Sequence, residues 1–288
     1  MRNLLLFVLV PLFPACNGSS SPPSGFEGTW NYDLPDRASG TNLAHVSCPA
    51  QGGAPAVELD IPQIGALVLA RDADGALAGR TDQGCSWTFH DADDEHASFA
   101  SAEATCDNPV IGSSYTITRW TLARDGAEAA EVVDAISHRP GGADCDFVLA
   151  AGKRTWVDPD ADDDPAAAFV GSWAYLPPDP LIRTNVATVA CADAEGNPLP
   201  PSYEPQVGSI ALERTGPHTA AATDGDGCTW TFAVHGNTAL LDPPAQRCGP
   251  LTLHHWALAG DGGHAFEVRS GERAGCRVLL TIGERTRQ

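Results

Sequence analysis

The sequence predicts an all-β protein made of two tandem antiparallel domains, each held by disulfide bonds. Three observations predict this fold: a long internal repeat, apolar residues that alternate along short segments, and cysteines that divide evenly between the two copies. We expect about eight strands per domain, arranged as a meander that closes into a barrel and so leaves no free sheet edge. A two-sheet β-sandwich is the alternative architecture.

The repeat is recognised by four segments that recur at one spacing. They are FEGTW at 26–30 and FVGSW at 169–173, TNLAHVSC at 41–48 and TNVATVAC at 184–191, PQIG at 62–65 and PQVG at 205–208, and GCSWTF at 84–89 and GCTWTF at 227–232. A constant spacing over half of each copy indicates the duplication of a whole domain rather than a short solenoid module. We therefore place the first β domain at 26–157 and the second at 169–288.

The N-terminal segment predicts export and anchoring. Arg2 precedes an apolar run at 4–13, which is shorter than the 20 or so residues that span a bilayer but suits the core of an export signal. The stretch ending at Cys16 resembles the lipobox of bacterial lipoproteins, although Phe13 and Pro14 depart from the residues that this family prefers. The resemblance implies a signal peptide at 1–15, lipidation of Cys16, a flexible tether at 16–25 and anchoring to the bacterial cell envelope, at the outer membrane on its periplasmic or surface side. A plain secreted protein is the alternative.

An acidic segment at 158–168 separates the two domains. It carries five aspartates between Asp158 and Asp164, and their spacing is faintly similar to that of calcium loops. It lacks the central glycine and the terminal glutamate of such loops, and prolines bracket it. We therefore interpret it as a solvated, self-repelling linker.

Cysteines outside the N-terminal segment number four per domain, and an even set in an exported chain predicts disulfides. No C-x-x-C spacing suggests a zinc site. Cys85 begins one predicted strand and Cys106 ends the next, so the two ends of this hairpin should meet. Elimination then pairs the two remaining cysteines, Cys48 and Cys145, and the second copy should repeat both bonds. The expected pairs are Cys85–Cys106, Cys48–Cys145, Cys228–Cys248 and Cys191–Cys276. A strict meander would place Cys48 and Cys145 at opposite ends of the barrel, so either the strand count or this pairing is wrong.

Alternation of apolar residues predicts the strands of the first copy. They are expected near 28–33, 41–48, 64–71, 85–90, 96–105, 114–123, 128–137 and 144–151. The alternation slips by one residue between Ile117 and Trp120, and again between Leu253 and Trp256, which predicts a β-bulge in both copies. Asp-Gly pairs at 125–126 and 261–262 predict tight hairpin turns.

Both ends of each domain resemble lipocalins. Gly28-Thr29-Trp30 and Gly171-Ser172-Trp173 are similar to the G-x-W motif of that family, in which an arginine at the end of the last strand covers the tryptophan. Arg154 and Arg285 occupy that place. The family's later T-D-Y-like turn is absent. The whole chain also resembles duplicated lipocalin-like, or calycin-like, domains of uncharacterised myxobacterial lipoproteins. The resemblance implies structural roles for Trp30, Arg154, Trp173 and Arg285, and it implies ligand binding by analogy only.

No catalytic motif or cofactor fingerprint is present, and no histidine recurs at the same place in both copies. A polar cluster could converge on a metal from one hairpin tip: His90, Asp93, Asp94, Glu95 and His96. We favour an exposed turn, because the matching tip near His235 lacks the acidic residues. His254 and His255 are expected on a strand surface. We therefore expect neither catalytic residues nor a metal site nor a cofactor.

Tryptophans retained in both copies define the candidate ligand cavity: Trp87 and Trp120 in the first domain, and Trp230 and Trp256 in the second. Such residues line a cavity in some barrels and fill the core in others, and we favour a filled core. With 17 basic and 37 acidic residues the net charge of −20 argues against nucleic-acid binding. We expect a non-enzymatic envelope lipoprotein with a structural or surface-interaction role, with an envelope protein as partner. The alternative is a carrier of a small apolar ligand. The sequence does not indicate the oligomeric state.

Overall fold

The computed structural model describes residues 25–51, 55–90, 93–99, 104–108, 113–138, 142–161 and 164–288. Within these residues the chain forms two closed, antiparallel eight-stranded barrels, one from each copy of the repeat. The predicted all-β class and the barrel are both confirmed, and the sandwich is excluded because the first and last strands of each copy pair with each other. The expected signal peptide, Cys16 and nearly all of the tether lie outside the described residues.

The first barrel is a ring of eight strands with three further strands attached to it. Its strands are β1 Gly28–Tyr32, β2 Leu43–Cys48, β3 Val57–Pro62, β4 Ala66–Arg71, β5 Leu77–Thr81, β6 Ser86–His90, β7 His96–Phe99, β8 Ala104–Asn108, β9 Ser113–Asp125, β10 Glu128–His138 and β11 Cys145–Val157. The ring runs β1-β4-β5-β6-β7-β9-β10-β11 and closes where Trp156 of β11 lies opposite Trp30 of β1. Outside the ring, β2 and β3 extend from β11, and β8 pairs with β9.

The expected strand positions need three corrections. Strands at 57–62 and 77–81 were missed, and the strand expected at 96–105 is two strands, β7 and β8. The strand β2 does not lie in the ring. The reason is the length of β11, whose C-terminal part pairs with β1 while its N-terminal part pairs with β2 on the same edge. The first barrel is therefore a meander interrupted by two segments outside the ring, β2 with β3 and then β8.

The second barrel repeats this arrangement strand for strand. Its elements are a 3₁₀ helix, η1 Pro165–Phe169, followed by β12 Gly171–Tyr175, β13 Val186–Ala190, β14 Ser202–Pro205, β15 Ser209–Gly216, β16 Thr219–Asp224, β17 Thr229–His235, β18 Thr238–Leu241, β19 Gln246–Cys248, β20 Leu251–Gly260, β21 His264–Arg273 and β22 Cys276–Arg287. The ring order is β12-β15-β16-β17-β18-β20-β21-β22, closed by β12 and β22. Because both copies share one topology, equivalent residues can be matched by their strand partners as well as by sequence.

Four disulfides link the cysteines in the expected pairs: Cys48–Cys145, Cys85–Cys106, Cys191–Cys276 and Cys228–Cys248. The conflict between Cys48–Cys145 and a strict meander is resolved by the position of β2. Ser47 lies opposite Asp146, so the neighbouring Cys48 and Cys145 meet across the same strand pair, with their Cα atoms 4.3 Å apart. The eight-stranded barrel and the pairing were both right, and the error was to place β2 within the barrel.

The predicted bulges and turns are present. In β9 the pairing with β10 shifts at Thr118, and in β20 the pairing with β21 shifts at His254, the matching position. β9 and β10 are joined by a two-residue turn containing Gly126, whose φ of 62° is easily adopted by glycine. The shared shift confirms that the bulge belongs to the fold and not to one copy.

A hydrogen bond from the first tryptophan holds the start of each barrel in place. The Trp30 indole N–H donates to the carbonyl of Phe26 at 2.7 Å, and that of Trp173 donates to the carbonyl of Phe169 at 2.6 Å. All four rings are almost completely buried. In the second copy Phe169 ends η1, which packs against β15, β16 and β17. The end of the acidic segment is therefore part of the second barrel. Residues 162–163 of that segment lie outside the described residues.

Candidate functional site in the barrel cores and between the barrels

The tryptophan pair of the first barrel is packed at its centre. Trp87 on β6 and Trp120 on β9 are buried, and their ring centroids lie 6.3 Å apart in an edge-to-face arrangement. Phe89 packs on Trp120 at 5.1 Å, and Phe99 and Tyr115 pack on Trp87 at 6.0 and 5.8 Å. Edge-to-face contact at these distances is the packing expected within a core. The structure therefore brings the predicted residues together but leaves no gap between the two indoles.

The second barrel has the same pair with fewer aromatic neighbours. Trp230 and Trp256 are 6.3 Å apart, and Phe232 packs on Trp256 at 5.2 Å. Leu241 lies opposite Phe232, whereas in the first barrel Phe99 lies opposite the matching Phe89. Likewise Leu251 lies opposite Cys248, whereas Tyr115 lies opposite the matching Cys106. The first barrel is thus the more aromatic of the two.

The two cores also differ in the hydrogen bonds of their indoles. In the second barrel Trp230 Nε1 donates to Asp224 Oδ2 at 3.2 Å. The first barrel has Thr81 at the place of Asp224, and Trp87 Nε1 is buried without an acceptor. The indoles of Trp120 and Trp256 also lack acceptors. A buried donor without a partner costs about 1–3 kcal/mol, so the first barrel carries the larger penalty at this place.

A buried ion pair lies beside the first tryptophan of each barrel. In the first barrel Arg154 Nε donates to Glu131 Oε2 at 2.7 Å and Arg154 Nη1 donates to the carbonyl of Trp30 at 3.2 Å. The guanidinium also stacks on Tyr32, 3.5 Å from the ring centroid. Arg154 therefore contacts the backbone of Trp30 and the ring of Tyr32, whereas the resemblance implied a cover over the tryptophan.

The second barrel repeats this cluster in full. Arg285 donates to Glu267 and to the carbonyl of Trp173, and it stacks on Tyr175 at 3.5 Å. The Tyr175 hydroxyl donates to Glu267 at 3.0 Å. Burial, followed by the nearby Glu267, raises the pKa of Tyr175 to about 12, and burial also raises the pKa of Tyr32. In each cluster the guanidinium, the carboxyl group and the phenol contact one another inside the barrel.

Sequence reasoning missed the glutamates of these clusters. Glu131 and Glu267 lie at matching places in the two copies, among apolar residues, which is an unusual position for an unpaired acid. A second signal is the glycine on the neighbouring strand. A Cβ atom on Gly152 would lie 2.8 Å from Glu131 Cβ, and one on Gly283 would lie 2.7 Å from Glu267 Cβ. These glycines let the two strands approach around the buried pair.

The polar hairpin tip is an exposed turn in the part that the structure describes. Asp93 accepts hydrogen bonds from the backbone N–H groups of Glu95 and His96, which lower its pKa. The His96 ring stands 3.8 Å from Asp93, and both side chains are largely in solvent. Residues 91–92 and the side chain of His90 lie outside the description. Among the described residues, no three His, Cys, Asp or Glu side chains are grouped to hold a metal.

An apolar cluster joins the two barrels. Ile64 and Leu34 of the first barrel pack against a face of the second barrel formed by Leu240, Ala257, Ala259, Phe266 and Val268. Ile64 is 7% exposed although it lies in a surface loop of its own barrel. The barrels are therefore docked through side chains that each barrel alone would expose to water.

Polar contacts surround this cluster. His255 Nε2 lies 2.8 Å from Asp82 Oδ2, and both side chains are buried. Arg37 donates to Glu284 at 2.6 Å, and Glu284 also faces His264. Two asparagines complete the contact: Asn31 donates to the carbonyl of His235 at 2.6 Å, and Asn237 donates to the carbonyl of Tyr32 at 2.9 Å. The expectation that His255 lies on a strand surface is corrected, because the first barrel covers that strand.

Comparisons with known proteins add little. No protein-family model matches the chain, and no curated protein matches it. Two solved structures are similar to it: a protein of unknown function from the DUF3598 family of Nostoc punctiforme, and a "putative outer membrane protein" from Bacteroides fragilis. The first has 10% identity and a TM-score of 0.27 over 91% of this chain and 96% of that chain. The second has 8% identity and a TM-score of 0.27 over 91% of this chain and 97% of that chain. At these TM-scores neither similarity carries an argument.

Proposed function

We propose that the protein is a non-enzymatic lipoprotein of the bacterial cell envelope that works by surface interaction. The observation that carries the proposal is the contrast between interior and surface. The polar groups that both copies share are consumed in buried ion pairs, and the tryptophans are packed together. What remains available for function is the outside of a two-barrel body.

Export is supported by the four disulfides, because such bonds form and persist in oxidising compartments. The apolar run at 4–13 followed by Cys16 supports lipidation. Within the described residues no helix is long and apolar enough to cross a membrane. Acyl chains on Cys16 would supply a stable membrane attachment, and the serine- and proline-rich segment after it would hold the barrels at a distance.

The anchor is tested by fractionation of a diderm bacterial host that expresses the full chain. We expect the protein in the membrane fraction, where metabolically supplied radiolabelled palmitate labels it, and we expect Cys16→Ser to release it in soluble form without label. Equal fractionation of the two proteins would contradict the anchor. Retention of all four disulfides in both proteins, measured by mass, controls for folding.

A carrier of a small apolar ligand is the second candidate. It is favoured by Trp87 and Trp120, whose indole N–H groups are buried without acceptors in the more aromatic barrel. A ligand that accepts hydrogen bonds there would remove the penalty of an unmade bond. The test is a titration with Nile red, an apolar fluorophore whose carbonyl accepts hydrogen bonds, comparing Trp87→Phe with the matched control Trp230→Phe. Saturable binding that only Trp87→Phe weakens would support a carrier, and an absence of binding would leave surface interaction as the function.

A further inference from the structure

The surface with which the first barrel contacts the second has an equivalent on the second barrel. We call this surface the docking face: loop 33–42 with Ile64 in the first barrel, and loop 176–185 with Val207 in the second. Its backbone is held alike in both copies. Tyr32 N donates to the carbonyl of Gly65 at 3.1 Å, and Tyr175 N donates to the carbonyl of Gly208 at 3.1 Å. The two docking faces are therefore presented in the same way.

Only one of the two docking faces is covered within the described residues. Ile64 is 7% exposed because the second barrel packs on it, whereas Val207, at the matching position, is 73% exposed. Leu181 and Ile182 of the neighbouring loop are 88% and 48% exposed. A cluster of exposed large apolar side chains marks an interaction site.

The uncovered docking face is also the more apolar of the two. Leu181 and Ile182 stand where the first barrel has Ala38 and Ser39. The polar residues that secure the internal contact are missing from it: Pro180 replaces Arg37, Gly225 replaces Asp82 and Ala174 replaces Asn31. The replacements favour a partner whose contact with this face is apolar rather than an ion pair.

The face that receives the internal contact is built from cross-strand pairs. In the second barrel these are Ala257 opposite Val268 and Ala259 opposite Phe266. We call this the receiving face. Its equivalent in the first barrel, found by strand pairing, is Thr121 opposite Val132 and Ala123 opposite Ala130. Thr121, Ala123 and Ala130 are exposed and Val132 is half-buried, so this receiving face is uncovered.

We propose that the docking face of the second barrel binds the receiving face of the first barrel in a second copy of this chain. The contact repeats between molecules the barrel-to-barrel arrangement that already exists within one molecule. Because the two faces differ, the contact is heterologous and joins copies head to tail. The assembly as a whole leaves one docking face free at one end and one receiving face free at the other.

The side chains of the two free faces complement each other. Ala130 stands where the internal receiving face has Phe266, and the bulkier Leu181 and Ile182 can occupy the space that this leaves. The ion pair of the internal contact is not repeated, since Lys153 stands in place of Glu284 and Pro180 in place of Arg37. The free receiving face instead carries two cations, Lys153 at the place of Glu284 and Arg119 at the place of His255, and Arg119 is already paired with Asp134. The contact between copies is therefore apolar at its centre, with these cations beside it.

The net charge of −20 opposes this association at long range. Screening by salt shortens the reach of that repulsion, so association should strengthen as the ionic strength rises from low to physiological values. An interface held by ion pairs would show the opposite dependence. The sign of the salt effect therefore distinguishes the apolar contact from association driven by charge.

The test is sedimentation velocity on the full chain carrying Cys16→Ser, exported to an oxidising periplasm, from about 1 µM to about 1 mM. We expect concentration-dependent association that Val207→Asp and Ala123→Asp each weaken at least about tenfold, since each places a charge in the apolar contact. Val68→Asp is the control, because Val68 is exposed on β4 away from both faces. Unchanged thermal unfolding of each variant shows that folding is intact.

A mixture of the two face variants separates head-to-tail docking from other contacts. The Val207→Asp chain keeps a receiving face and the Ala123→Asp chain keeps a docking face, so together they should form a one-to-one complex although neither associates alone. A monomer at all concentrations, a mixture that fails to associate, or association that Val207→Asp leaves unchanged would overturn the proposal. Binding of the monomer to phosphatidylcholine vesicles through Leu181 and Val207 would also overturn it, because the face would then serve a lipid surface.

Discussion

Substitution of the same position in the two copies offers a matched test of how the barrels are joined. Ile64 lies in the apolar cluster between the barrels, whereas Val207 occupies the equivalent site in the second barrel and is open to solvent. Ile64→Ala removes three carbon atoms from a site that is 7% exposed. At about 0.8 kcal/mol for each buried CH₂ group, the loss in unfolding free energy is about 2–3 kcal/mol.

That loss should lower the melting temperature by about 4–10 °C in a chain of this size. Val207→Ala should change the unfolding free energy by less than about 0.5 kcal/mol in dilute solution, because the side chain is exposed there. Differential scanning calorimetry and urea denaturation of both variants measure the difference. Equal effects of the two substitutions, or no effect of Ile64→Ala, would refute the conclusion that the barrels are docked through this cluster.

Two further predictions concern the buried and interfacial charges. Glu131→Ala should lower the unfolding free energy by about 3–5 kcal/mol, measured by urea denaturation, because it leaves the buried Arg154 without its partner; a loss below about 1 kcal/mol would contradict the buried pair. Hydrogen bonding from His264, followed by that from Arg37, lowers the pKa of Glu284 from its usual 4.5. The ionised Glu284 therefore contributes its full stability above pH 4.5, and this contribution is lost as the pH falls through the lowered pKa. Glu284→Gln should remove this part of the pH dependence. Identical profiles of the urea midpoint against pH for the wild type and Glu284→Gln would contradict it.

Much of the fold was predictable because the duplication acts as an internal control. The bulge near Thr118 was expected because the alternation slips at the same place in β20, and both bulges are present. The disulfides followed from counting cysteines in each copy and from one hairpin. Local patterns of this kind survive in each copy because they depend on neighbours in the chain.

The errors arose where a strand pairs with a distant part of the chain. β2 pairs with the N-terminal half of β11, a contact that no local alternation reveals. The strand β3 was missed because Val57–Pro62 contains alternating acidic residues at the outer edge of the sheet, where only one neighbour, β2, pairs with it. A short strand such as β5, with Gly79 at its centre, has too few apolar residues to be distinguished from a turn.

The candidate site was only partly predictable. The four tryptophans of the candidate cavity are buried, but their packing distances depend on the tertiary structure. Glu131 could have been found from its apolar neighbours in both copies, whereas its pairing with Arg154 needs the register of β10 and β11. The burial of His255 was not visible at all, since it depends on the docking of one barrel on the other.

A native mass spectrum of the chain carrying Cys16→Ser, exported to an oxidising periplasm, tests most directly whether the protein acts through its surface or through its barrel interiors. We expect multiples of the bare chain mass, with the denatured chain lighter by eight hydrogens for its four disulfides. A monomer that carries additional mass under native conditions and loses it on denaturation would contradict surface interaction, and would show that the barrels hold a ligand.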